Sequence, residues 1–119
     1  MIRADDVMPL LLVAVPSFEP LWYDMQADHV HAGPNPVRGH HLDAATFVGH
    51  LVDQHRHNHT EVVQRAFDVI ERMAIEGKGY VQNLANVGYL ERVRNCALAD
   101  DVLRDDDFVG YLGPVSLLA

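Results

Sequence analysis

The sequence predicts an all-α fold, with six or seven short helices in a compact bundle or a helical-repeat-like arrangement. Residues 62–74 carry apolar side chains at helical spacing, and no segment alternates apolar and polar residues as a half-buried strand does. Helix-starting and helix-ending residues such as Pro16, Asp43 and Gly77 recur at short intervals. With 119 residues, 49% of them hydrophobic, the chain is predicted to form a single helical domain over residues 1–119.

Two helices are expected before residue 29. Asp5 or Asp6 can cap the first, over about 7–15, which ends at the following proline. Ser17 is a good N-cap for the second, which extends to about residue 28. In that helix the spacing places Trp22 in the core and leaves Tyr23 as the exposed aromatic side chain.

A Gly/Pro/His-rich loop is predicted over residues 29–41, because four helix-breaking residues fall within it. Asp43 then restarts the helix. Asn58 to Glu61 is spaced like a capping box for the next helix, the clearest in the chain. On its polar face, Glu61 stands four positions before Arg65 and Asp68 four positions before Arg72, the order in which an acidic and a basic residue attract each other on a helix. Gly77 is predicted to end this helix.

From Tyr80 the apolar pattern continues to residue 97, and Asn86 or Gly88 is expected to divide it into two helices. A short acidic helix at about 100–104 and a last turn carrying Leu117 complete the prediction.

Charge narrows the classes of partner. The 17 acidic residues against 9 basic ones give a formal charge of -8 with histidines neutral. Nucleic acids and anionic membranes are disfavoured, because both require clustered lysine and arginine, whereas an acidic surface attracts basic partners. One cysteine excludes an intramolecular disulfide. The apolar run 7–15 is too short to span a bilayer and follows two aspartates, so we expect a cytoplasmic protein.

The acidic segment, residues 100–107, is the first candidate site. It carries a local charge of about -4, half of the chain's net charge, and that is more carboxylate than helix capping requires. A solvated acidic turn, a surface for a basic partner and, less favoured, a calcium site all fit this pattern. The predicted partner-binding residues are Glu91, Asp100, Asp101, Asp105, Asp106 and Asp107, with Asp53 or Glu61 as further candidates.

The histidines are the second candidate. Eight occur in the chain, and His55 and His59 have the spacing of two metal ligands on one helix. Since Asn58 is expected to cap a new helix between them, we expect solvated or capping histidines, with no metal and no cofactor. Cys96 sits in a predicted helix without a paired base and is expected to be structural. No catalytic motif is complete, so a non-enzymatic protein without a small-molecule substrate is predicted.

Several short motifs resemble a known family when taken together. They are Ala66 to Glu71, Glu76-Gly77, Tyr80 to Asn83, Gly88 to Glu91, and Tyr111 to Ser116. Their order and spacing are similar to those of small all-helical bacterial proteins that have no assigned enzymatic activity and resemble helical-repeat modules. The resemblance covers about residues 62–116. It implies core positions at Phe67, Ile70 and Leu90, turns at Gly77, Gly88 and Gly113, and no catalytic residues.

The resemblance also implies a function, immunity against secreted polymorphic toxins. The leading hypothesis is therefore an immunity protein, or antitoxin, that blocks the active site or substrate channel of a cognate toxin domain with a basic surface. Two alternatives stay open, a metal-binding or metal-sensing helical domain that uses the His50–His59 cluster, and a structural adaptor.

Overall fold

Helices make up most of the chain that the computed structural model describes, namely residues 2–24, 36–99, 111–114 and 116. Helix α1 is Ala4–Ala14, followed by a 3-10 turn at Pro16–Phe18 and by α2 at residues 19–24. Helices α3 and α4 are Pro36–Arg56 and Thr60–Glu76. Helix α5 is made of three consecutive stretches, the α-helical Tyr80–Asn83, the π-helical Leu84–Leu90 and the α-helical Glu91–Ala99.

The all-α prediction is confirmed, since the described residues contain helices and turns and no strand. The number of helices differs from the prediction, because these residues form five helices rather than six or seven. The predicted acidic helix at 100–104 and the turn at Leu117 lie outside the described residues. Within them, no helix is both long enough and apolar enough to cross a bilayer.

Helix α4 follows its predicted pattern closely. Its buried face consists of Val63, Ala66, Phe67, Val69, Ile70, Met73 and Ala74. The polar face pairs differently, because Arg72 binds Glu76 (Nε to Oε2, 2.7 Å) while Asp68 accepts a hydrogen bond from Gln64 (2.9 Å). Gly77 ends the helix as predicted, in extended backbone rather than the left-handed conformation. A Cβ on Gly77 would lie 2.5 Å from both Met73 O and Val81 Cγ1, so close packing requires glycine here.

The start of α3 corrects the predicted loop. Residues 36–41 are helical, and residues 29–35 lie outside the described residues. Pro36 occupies the first helical position, where a missing N–H has no cost. Asp43 does not begin the helix; it lies within α3 and is buried. Side chains from other helices contact this first turn of α3, as described below. The periodicity of the sequence does not predict such contacts between distant residues.

The turn between α3 and α4 corrects the predicted capping box. Asn58 adopts a positive φ of 63°, the left-handed conformation that asparagine tolerates better than most residues. It therefore ends α3 instead of capping α4, whose N-cap is His59 without a capping side-chain hydrogen bond.

Helix α5 corrects the predicted break at Asn86 or Gly88. The backbone passes through both residues as a π-helix, which widens the helix by one residue per turn without ending it. This widening lets Leu84, Ala85, Gly88 and Tyr89 all be buried in the stretch. Gly88 is thus a buried helix residue rather than a turn, because burying a larger face outweighs the helix-breaking tendency of glycine.

The core lies between α1, α3, α4 and α5. Helix α1 lies against α4, and the Ile2 N–H donates to the carbonyl of Glu76 (3.4 Å), so the start of α1 meets the end of α4. Phe47 of α3 is fully buried and makes edge-on ring contacts with Phe18 (centroids 5.0 Å apart) and Tyr89 (6.0 Å). The predicted core positions Phe67 and Ile70 are buried, and Leu90 is half-buried against the same core.

Candidate interaction surface

Three of the predicted partner-binding residues lie in the part of the chain that the structure describes, and all three are exposed on helices. Glu91 lies at the start of the last stretch of α5, Asp53 in the last turn of α3 and Glu61 in the first turn of α4. These three carboxylates are therefore placed where a partner could reach them. Asp100, Asp101, Asp105, Asp106 and Asp107 lie outside the described residues, and their place in the prediction rests on the sequence alone.

The histidines of α3 hold other segments of the chain in place. His50 Nε2 and the Ser17 hydroxyl are joined by a hydrogen bond of 2.8 Å. His55 Nδ1 and the Tyr111 hydroxyl are joined at 3.0 Å. These contacts attach the 3-10 turn and the C-terminal segment to α3. Ser17 was predicted to be the N-cap of the second helix. It lies instead inside the 3-10 turn that precedes α2, and its hydroxyl contacts His50 of α3.

His40 makes a third contact of this kind, at the turn of α3 that the sequence predicted as loop. Its Nδ1 and the Tyr80 hydroxyl are joined at 2.8 Å, and its Nε2 lies 3.8 Å from Asp5 Oδ1. Partial burial raises the pKa of the Tyr80 hydroxyl, so this group stays protonated at neutral pH. One imidazole therefore connects α1, α3 and α5, a role that single-sequence spacing gives no means of recognising.

A polar pair lies in the core between α3 and α5. Tyr89, in the π-helical stretch, is only 1% exposed, and Asp43 is buried on α3. Burial, with smaller contributions from the negative charge of Asp43 and from Tyr80, raises the pKa of Tyr89 strongly. Tyr89 is consequently a neutral side chain that packs against Phe47.

The two histidines beyond His55 lie close together at the α3–α4 turn. The rings of His57 and His59 are 6.2 Å apart between centroids. Each already has a contact, His57 with the carbonyl of Asp53 (2.8 Å) and His59 with the amide oxygen of Gln54 (2.8 Å). Within the described residues, no group of three or more histidine, cysteine or carboxylate side chains is arranged to hold a metal ion. Cys96 is half-buried against the core.

The C-terminal segment lies against α4. The Tyr111 ring stacks on Phe67 with centroids 5.5 Å apart. The backbone carbonyl of Tyr111 accepts a hydrogen bond from the side-chain amide of Gln64 (3.1 Å). The Ser116 N–H donates to Glu71 Oε2 (2.9 Å), and a Cβ on Gly113 would lie 2.5 Å from Cδ of the same glutamate. The chain on the far side of the acidic segment is therefore anchored to the helical core.

Charge is distributed unevenly along the chain, and the sequence prediction missed half of this pattern. Residues 100–107 carry five acidic residues and one basic residue, and residues 1–28 carry the same five against one. Between them, the balanced region, residues 29–99, carries seven of each. The entire formal charge of -8 therefore belongs to the N-terminal acidic region, residues 1–28, and to the acidic segment. Counting charges in windows along the sequence would have found the first of these two.

A family model described as a domain of unknown function, DUF7674, matches residues 8–117, which is nearly the whole chain. The chain belongs to the DUF7674 family. No curated protein and no solved structure matches it.

The DUF7674 match runs from α1 through the C-terminal segment and includes the acidic segment. The first sixty residues, where the short motifs of the sequence gave no specific resemblance, are thus largely part of the same family domain. Because the family has no assigned function, the match identifies the domain and leaves its activity to be argued from charge and surface.

Proposed function

We propose that this DUF7674 protein is a cytoplasmic immunity protein that binds a cognate bacterial toxin domain and occludes its active site or substrate channel without catalysis. The observation that carries the proposal is the segregation of charge. A balanced region of seven acidic and seven basic residues stands between two regions with a five-to-one acidic excess. Folding requires no such arrangement, whereas the capture of a basic protein is favoured by it.

Electrostatics supplies the physical basis of the proposal. Like charges crowded into residues 100–107 repel one another, and that cost is offset when a basic surface approaches. Attraction of this kind accelerates encounter, and it weakens as salt shortens the distance over which charges act. A toxin with a basic active-site rim, as expected for an enzyme acting on nucleic acid or another polyanion, would meet both acidic regions.

The roles of the α3 histidines support binding rather than catalysis. His40, His50 and His55 each contact a hydroxyl group from another segment, so each of these imidazoles helps to hold the fold. The fold that they stabilise presents the described carboxylates Glu19, Asp24 and Glu91 on its surface.

The first test is co-expression of the chain with the toxin encoded beside its gene. We expect the chain to restore growth of cells that produce the toxin, and the two purified proteins to form a complex. Failure to form a complex, or turnover of a small molecule by the purified chain, would contradict the proposal.

The second test measures the association rate constant against salt. Replacing three aspartates of the acidic segment (Asp105, Asp106 and Asp107→Asn) should slow association about tenfold at low ionic strength, with less effect on dissociation. Glu91→Gln should slow it less, because it removes a single charge. Asp68→Asn is the matched control, since Asp68 is an exposed helical carboxylate of the balanced region. An association rate that is independent of salt in the wild-type chain would remove the charge argument.

The alternatives are separated by other measurements. A stoichiometric metal in protein purified without an affinity metal, together with a higher unfolding temperature when that metal is bound, would favour the metal-binding hypothesis for His50–His59. A stable complex with a non-toxic partner would favour the structural adaptor.

A further inference from the structure

Exposed apolar side chains are concentrated in one stretch of the described sequence. Six large hydrophobic side chains are exposed among the described residues, and three of them, Val13, Leu21 and Tyr23, lie within eleven consecutive positions. Val13 is 81% exposed and Tyr23 64% exposed. Single exposed hydrophobic residues are ordinary on protein surfaces, but a concentration of this kind marks an interaction surface.

The local structure explains why these side chains point outward. Helix α1 buries Val7, Leu11 and Ala14, so Val13 occupies its opposite face. The chain then turns through Pro16–Phe18, where Phe18 is buried in the core. In the helix that follows, α2, Leu21 and Tyr23 are exposed. We call residues 9–24 the α1–α2 corner. Its remaining exposed apolar residues are Pro9, Pro16 and Pro20.

The prolines make this surface rigid as well as apolar. Each has a fixed φ and no N–H group, so the corner presents little hydrogen-bonding backbone at these positions and loses little conformational freedom on binding. Tyrosine adds a large, semi-rigid contact area with one polar tip, which is why it is frequent among the residues that dominate binding energy. Tyr23 is therefore suited to be the anchor of this surface.

Carboxylates border the apolar residues. Glu19 and Asp24 are exposed on α2, and the N-terminal acidic region contains a single basic residue, Arg3. The backbone N–H of Arg3 donates to Asp6 Oδ2 (3.0 Å), which is the capping contact at the start of α1. The corner thus combines an apolar centre with a negative rim, and its complement is a segment with an apolar stripe and basic edges.

We infer that the α1–α2 corner is a docking surface for a basic amphipathic helix of the partner protein. Apolar side chains of that helix cover Val13, Leu21 and Tyr23, and its lysine or arginine side chains pair with Glu19 and Asp24. The inference rests on the proposed function in one respect, that the partner is the toxin. The acidic segment then accelerates encounter, and the corner supplies the apolar area that slows dissociation.

A protein partner fits this chemistry better than a lipid surface. The cytoplasmic face of a membrane is negatively charged and attracts clusters of lysine and arginine. The corner is also negatively charged, so an anionic bilayer would be repelled by the same carboxylates that attract a basic helix.

The chain contains a built-in reporter of binding at this surface. Trp22 is its only tryptophan, is half-buried against the core, and lies between Leu21 and Tyr23 on α2. A ligand that covers the corner changes the surroundings of this indole, and intrinsic fluorescence follows that change without a label.

The test is a titration of the full chain with a synthetic helical peptide of leucine and lysine, with the leucines on one face. We expect saturable binding that shifts the Trp22 emission. Two control peptides, one with glutamate for lysine and one with serine for leucine, should bind at least tenfold more weakly. Equal binding of the serine peptide would show that charge alone is recognised and would overturn the inference. A stronger response to anionic vesicles than to the leucine–lysine peptide would overturn it in favour of a membrane.

Variants locate the surface. Val13→Ser combined with Tyr23→Ser should weaken peptide binding about tenfold and leave the urea midpoint of unfolding unchanged, because both side chains are exposed. Ile75→Ser is the matched control, since Ile75 is 59% exposed in the last turn of α4, and it should bind as the wild type does. Equal weakening by both variants would overturn the assignment to the corner.

The same variants separate this inference from the proposed function. If the wild-type chain protects cells from the toxin and the double serine variant protects equally well, the immunity role stands and the corner is not the docking surface. If the peptide binds at the corner but the chain gives no protection, the surface stands and the immunity role fails.

Discussion

The histidines of the balanced region and the exposed carboxylates of α2 differ in what their side chains do. In the balanced region, His40, His50 and His55 contact hydroxyl groups of other segments and hold the helices together. In the N-terminal acidic region, Glu19 and Asp24 lie on the surface beside exposed apolar side chains. This difference indicates that stability and recognition are separable in this molecule, so substitutions can alter one without the other.

The largest effect on stability is expected in the core. Phe47→Ala removes a fully buried ring that contacts Phe18 and Tyr89, and it should cost about 3–5 kcal/mol of unfolding free energy. Urea unfolding followed by circular dichroism measures this cost. Val13→Ala, at an exposed position of the α1–α2 corner, should change it by no more than about 0.5 kcal/mol. A large cost at Val13 would show that the corner belongs to the stabilising core, and the comparison would fail.

A pair of glycine substitutions should have opposite signs. Gly77→Ala places a methyl group 2.5 Å from Met73 O and Val81 Cγ1, and the resulting overpacking should cost about 1–3 kcal/mol. Gly49→Ala lies in α3, where the new Cβ would have no atom within 4 Å beyond its chain neighbours and the backbone of its own helix, and it should stabilise the chain by about 0.5–1 kcal/mol through helix propensity. Thermal unfolding of the two variants distinguishes them directly. The same sign for both would mean that the close contact at Gly77 is not a constraint.

A smaller effect is expected from pH. Burial lowers the pKa of His50 below its ordinary value of 6.5, and the nearby Asp53 only partly opposes this. The unfolded chain therefore binds this proton more readily than the folded chain. The stabilisation that depends on neutral His50 is complete above pH 6.5, the pKa of the unfolded chain. It declines as the pH falls from that value towards the lower pKa of the folded chain.

Two measurements check the pH effect. Unfolding free energies at neutral and mildly acidic pH should differ less in His50→Gln than in the wild type. Proton NMR of the His50 ring should give a titration midpoint below 6.5. A midpoint above it would mean that the charge of Asp53 outweighs burial, and the slope would then have the opposite sign.

Neighbouring parts of the chain differ in how far the sequence predicts them. Helix α4 was predicted nearly residue by residue, because its apolar side chains recur at the helical period and Gly77 marks its end. The first turn of α3 was predicted as loop, because proline and glycine are usually found in loops. Helix forms there nonetheless, since His40 contacts Tyr80 and Asp5, which lie 40 and 35 positions away in the sequence.

The two candidate surfaces also differ in how far the sequence predicts them. The acidic segment was found from the sequence, because a local excess of charge needs no knowledge of neighbours. The α1–α2 corner was only partly visible: Tyr23 was expected to be exposed, but which face of α1 the core covers depends on packing against α4.

The sequence by itself determined the helical class, the buried face of α4, the acidic character and the single-residue stop at Gly77. Each of these follows from the period, composition or backbone freedom of residues close together in the chain. Only the tertiary structure decided where α3 begins, that α5 continues as a π-helix through Gly88, and that the α3 histidines connect distant segments. Those outcomes depend on contacts between residues far apart in sequence, whose burial and hydrogen bonds outweigh the weak local preferences of proline and glycine.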